Sequence, residues 1–102
     1  MALVNIESAI KKVLNALKKT PPGQGWEMLS YKRNRGVAVI KEAEGLFWVR
    51  ERGYQHQEWQ VDERQLPRLL KGIVKREFPR SRKLRIYAVA HRNDLGRPRK
   101  VL

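Results

Sequence analysis

The chain has no cysteine, two histidines, ten acidic residues and no long apolar run. Without cysteine there is no disulfide, no thiolate zinc site and no cysteine nucleophile. His56 and His91 stand far apart in sequence with no partner at ligand spacing, so no metal and no cofactor is expected. A bilayer-spanning helix needs about 18 or more consecutive apolar residues, and none of that length occurs. The N-terminal MALVNIESAIKK carries neither the charged n-region nor the cleavage site of a signal peptide. A cytoplasmic location without membrane contact is the expectation.

The scarcity of acids matters most. Against ten Asp and Glu stand 23 Lys and Arg, for a formal net charge of +13 in 102 residues. The surplus is concentrated late: from Lys75 onward only Glu77 and Asp94 oppose Lys75, Arg76, Arg80, Arg82, Lys83 and the cations that follow. Such a field repels itself unless a polyanion balances it. Nucleic acid is the first candidate, because phosphates neutralised by Lys and Arg release condensed counterions whatever the base sequence.

A length of 102 residues suits one domain, expected over 1–90 with a basic, mobile tail over 91–102. Leu3, Ile6, Ile10, Val13, Leu14 and Leu17 recur at spacings of three and four, predicting an amphipathic helix capped by Asn5 and stopped at Thr20-Pro21-Pro22-Gly23. Lysines crowd its C-terminal end, where the helix dipole favours them without further function. From Trp26 the texture becomes β-branched and aromatic. WEMLSYKR, GVAVIKEA, GLFWVRER and YQHQEWQV read as four strands joined by turns at Asn34-Arg35-Gly36, Glu44-Gly45 and Gly53. The four-residue apolar run of the third points to a central strand covered on both sides over part of its length. Asp62 and Gln65 have capping-box spacing, although Pro67 moves the start of the next helix toward Gln65. Leu66, Leu69, Leu70, Ile73 and Val74 form its apolar stripe, Phe78-Pro79 ends it, and LRIYAVA is a fifth strand. The predicted class is α+β, an antiparallel sheet of four to five strands with two helices on one face, in the order α-β-β-β-β-α-β.

Catalytic constellations are scarce, and no enzyme is expected. Ser8, Ser30 and Ser81 have neither nucleophile-elbow context nor a nearby histidine. Glu42, Glu44, Glu51, Glu58, Asp62 and Glu63 alternate with Lys or Arg, as cross-strand charge pairs do on a solvated face. The stronger pattern is basic residues interleaved with aromatics. Lys32, Arg33 and Arg35 end the first predicted strand, and Trp48, Arg50, Arg52 and Tyr54 run through the third. Cations that follow a backbone and aromatic faces that stack on bases are what single-stranded nucleic acid requires. Trp48 and Tyr54, of opposite alternation to Phe47, are the candidate platforms, while Phe47, Trp26 and Trp59 are assigned to the core. Lys75 and Arg76 serve a helix end, which leaves Arg80, Arg82 and Lys83 with the tail cations Arg92, Arg97, Arg99 and Lys100 for phosphates.

Gly45 to Ile73, an aromatic-basic strand, a Gln-rich strand, an acidic cap and a Leu-rich helix, resembles the ββββα unit of whirly-like single-stranded-DNA-binding transcriptional coactivators. The order from the first helix to the second is also similar to the α-β-β-β-α arrangement of double-stranded-RNA-binding domains with an added strand. There, Asp62-Glu63-Arg64 replaces the basic helix start. Both resemblances imply nucleic acid as the partner. The sequence therefore predicts a largely sequence-independent nucleic-acid-binding module with single strands favoured over duplex. The alternative is an adaptor whose basic surface docks an acidic protein, and the sheet edge offers either kind of module a route to homodimerisation.

Overall fold

The computed structural model describes residues 3–30, 35–53, 55–79 and 82–91. Its elements are β1 (Leu3–Asn5), α1 (Ile6–Lys18), β2 (Gly25–Leu29), β3 (Gly36–Ala43), β4 (Leu46–Arg52), β5 (His56–Asp62), α2 (Leu66–Glu77) and β6 (Lys83–Val89). All strands join one antiparallel sheet in the order β1-β6-β2-β3-β4-β5. The α+β class and the helices on one face follow the sequence reading. The strand count does not. Leu3 belongs to a sixth strand rather than to the α1 stripe; β6 pairs with β2 at the edge of the β2–β5 meander, and β1 adds outside it. The predicted tail over 91–102 lies outside the described residues except for His91.

The main core fills the space between the helices and one face of the sheet. Ala9, Val13 and Leu17 from α1 and Leu66, Leu70, Ile73 and Val74 from α2 meet Met28, Val37, Val39, Phe47, Val49, Val61 and Leu84. Strand alternation explains the set: Met28 pairs with Val37, and Val39 with Val49, so the same parity faces the helices in every strand. Trp26 and Trp59 are half-buried against this core, and Phe47 is inside it.

Local hydrogen bonds fix the helix ends. The Thr20 hydroxyl donates to the Ala16 carbonyl at 2.7 Å and accepts from the Trp26 indole at 3.1 Å, tying the last turn of α1 to β2. Lys41 Nζ donates to the Leu17 carbonyl at 3.3 Å, so a second orphan acceptor of that terminus is met. Before α2 the capping-box bonds form in the turn that precedes the helix. Gln65 N–H donates to Asp62 Oδ1 at 2.8 Å, and Asp62 N–H donates to Gln65 Oε1 at 3.2 Å. The helix itself begins at Leu66, which leaves Pro67 in the first turn, where a missing N–H costs nothing. Gly45, with φ at 74°, turns the β3–β4 hairpin, and a bulge at Glu42 sets Lys41 opposite Phe47 on the helix side.

Candidate nucleic-acid interface

Each helix that buries an apolar stripe presents the opposite stripe to solvent. On α1 that stripe carries Lys11, Lys12 and Lys18, with Lys19 just beyond the helix, and all four are exposed. On α2 it carries Arg68, Lys71 and Lys75, with Arg64 in the turn before, and these four are exposed as well. The spacing Arg64, Arg68, Lys71, Lys75 steps by four, three and four residues, so they stack on one side of the helix axis. Among the described residues no ion pair involves any of these eight cations. This surface was legible as helix-end chemistry and as part of a basic turn, but its continuity was not. The phase of the cations relative to Leu66, Leu70 and Ile73 was the available signal.

Trp48, Arg50, Arg52 and Lys83 lie on the opposite face of the sheet. Strand register there sets Tyr87, Glu27, Ala38, Arg50 and Glu58 in one row across the sheet, and Val89, Gly25, Ile40, Trp48 and Gln60 in the next. Trp48 is corrected from stacking platform to core: it is 6% exposed, packs with Ala38, Ile40 and Val89, and donates its indole N–H to Glu58 Oε1 at 2.9 Å. Gly25 belongs to the same row because a Cβ there would overlap the Val39 carbonyl oxygen. Both faces of β4 are buried over Phe47, Trp48 and Val49, part of its length, and that burial removes the Trp48 ring from a ligand.

The remaining sequence-predicted cations are scattered. Arg50 and Arg52 are half-buried on β4. Arg35 is half-buried and donates from Nη1 to the Glu77 carbonyl at 3.3 Å, so it holds the end of α2. Arg82 and Lys83 are exposed, at the turn into β6. Lys32, Arg33, Tyr54, Arg80, Arg92, Arg97, Arg99 and Lys100 lie outside the described residues.

One acid assigned to a solvated face, Glu51, needs the same treatment. Glu51 is 1% exposed, because its parity on β4 points it under the end of α2. There it accepts from Arg76 Nε at 2.9 Å and from Nη2 at 2.5 Å, a two-point contact between fork and carboxylate. Burial opposes the charge on Glu51, but hydrogen bonds from Arg76 and Glu77 and the charge of Arg76 outweigh it and hold the carboxyl below its ordinary range. The hydrogen bond to Glu51 in turn raises Arg76 above its ordinary value. Glu77 is buried beside them and accepts the Gln55 N–H at 3.3 Å. Lys41 is buried too, and its ion pair reaches Glu44 at 3.3 Å. These groups fasten helices to strands.

Among the described residues no group of His, Asp and Glu is arranged to hold a metal, and no helix is long and apolar enough to cross a membrane. The chain matches no family model, no curated protein and no solved structure.

Proposed function

We propose that this protein is a sequence-tolerant nucleic-acid-binding module that holds phosphate backbones with the outer side of its two-helix layer. The observation that carries the reading is the set of eight exposed cations on that layer with no ion pair among the described residues. Unpaired surface cations remain open to phosphates, whereas paired ones must first give up a partner. Arg82 and Lys83 add to the field from the turn into β6. With Trp48 inside the sheet, base stacking loses one of its two candidate platforms, so the reading rests on phosphate contact and duplexes are expected to bind at least as well as single strands. Titrating a labelled duplex and four homopolymers over a range of salt tests this. Affinity that falls linearly in log–log form, by about 0.9 per phosphate contact for duplex, supports it, and no binding at about 50 mM salt overturns it.

An adaptor reading keeps one observation of its own. Among the described residues strand β5 pairs only with β4, and His56, Gln57, Glu58, Gln60 and Asp62 on it are exposed. An open edge of that length can accept another strand, from a partner or from a second copy. A discrete complex at about 0.15 M salt that fails on insertion of proline at Glu58 would favour this reading.

A further inference from the structure

A cavity of about 510 Å³ lies where α1, the β3–β4 turn and the start of α2 meet. Its size falls within the span of about 300–1,000 Å³ typical of small-ligand sites. The inner wall is apolar: Leu17, Phe47 and Leu66 are buried there, with Leu14 half-buried beside them. Lys41 lines the same cavity with its side chain only 5% exposed. An ammonium has three donors. One goes to the Leu17 carbonyl and one faces Glu44, both at 3.3 Å, and no other acceptor among the described residues takes the third.

Glu44 is a weak partner, since its side chain is 86% exposed and water competes for it. At the rim, exposed Lys11 and Lys18 are matched by exposed Glu44 and Glu63, so buried Lys41 is the surplus cation of the lining. A ligand suited to this space has an apolar body for the leucines and Phe47 and one anionic group for the spare donor of Lys41. A bare phosphate gains nothing from the apolar wall, and a neutral hydrocarbon leaves the ammonium unmet.

We propose that this cavity binds a small organic monocarboxylate with a compact apolar body, its carboxylate accepting a hydrogen bond from Lys41 Nζ. The site goes beyond the nucleic-acid reading and does not depend on it: Lys11 and Lys18 border both surfaces, but this ligand is held by Lys41, between the helix layer and the hairpin.

Amide NMR titration of the full chain with 2-naphthoate, and with uncharged 2-naphthamide of nearly the same shape, tests the site. Naphthoate is expected to bind with Kd below about 1 mM and to shift the amides of Leu14, Leu17, Phe47 and Leu66. Naphthamide is expected to bind about tenfold more weakly, the difference a charged hydrogen bond makes. Lys41→Met abolishes that preference. Because Lys41 also holds the end of α1, a double variant of exposed residues, Lys11→Met with Lys18→Met, serves beside it. It is expected to weaken naphthoate by about threefold and to leave naphthamide unchanged. Equal affinity for the two probes, no saturable shift at about 5 mM naphthoate, or shifts confined to Lys12, Arg68 and Lys75 on the outer helix faces would each overturn the proposal.

Discussion

On the outer side of the helix layer Lys12, Lys19, Arg68 and Lys75 point away from the protein, whereas on the far side of the sheet Arg50 and Arg52 are half-buried in rows shared with Ala38, Glu58 and His56. The two regions use the same residue types. What separates them is the layer beneath: a helix turned apolar side inward must send its long cations out, but a strand whose neighbours on the same face are Ile40, Trp48 and Val89 keeps its arginines close to that second core. Density of Arg and Lys along the sequence is thus a poor guide to what a ligand meets. The phase of each cation relative to the apolar stripe decides it.

The sharpest way to break the contrast is to neutralise the helix layer alone. Replacing Lys12, Lys19, Arg68 and Lys75 by Gln is expected to lower the salt slope of duplex binding by about four and the affinity at 0.1 M salt by about three orders of magnitude. The far-side pair Arg52→Gln and Arg85→Gln is expected to leave the slope within about one of wild type. Anisotropy titrations at several salt concentrations read both. Equal losses in the two variants would erase the distinction between the faces.

A second variant separates stability from binding. Trp48→Ala opens a cavity in the far-side core and removes the bond to Glu58, so urea unfolding is expected to show a loss of about 3–5 kcal/mol. Affinity per folded molecule should not change; loss of binding at full folding would return Trp48 to the interface.

Arg76→Met probes the clamp beneath α2. At neutral pH the loss is expected to be about 2 kcal/mol, less than for a fully buried pair because Arg76 is 41% exposed. Glu51 has a lowered carboxyl in the folded protein, so its contribution is present above the ordinary value of 4.5 and fades as pH falls through the lowered folded value. In the variant both contributions of Arg76 are gone, and only the hydrogen bond with Glu77 still opposes burial. The gap between wild type and variant therefore narrows in acid, and urea midpoints at pH 7 and in the acid range check the sign. The smallest effect is expected at the turn before α2: Asp62→Ala should cost about 1 kcal/mol by removing the acceptor for Gln65 N–H, read as a shift in thermal midpoint.

Most elements were legible because their signals are local. GVAVIKEA is β3 in full, and the Asp62–Gln65 spacing makes its two bonds. What escaped is decided by distant partners. Leu3–Asn5 is too short to show alternation, and Leu3 sits at helical spacing from Ile6, so only its pairing with β6 reveals a strand. Arg50-Glu51-Arg52 reads as solvated charge until Arg76, far along the chain, covers Glu51. For the candidate interface, the individual lysines of α1 were visible but were assigned to the helix dipole. Their union with Arg64, Arg68 and Lys71 needed both helices to lie on one face.

The position of β6 between β1 and β2 also orders events in time. Strands β2 to β5 are neighbours both in sequence and in the sheet, so each can pair as soon as it leaves the ribosome. The first strand must wait, because among the described residues its one partner is β6, which is made after β2 to β5. Until residues 83–89 emerge, β2 has one open edge and α1 has no strand beside its N-terminus. A nascent chain stalled before that point is expected to expose a pairing edge to chaperones or to other copies of itself.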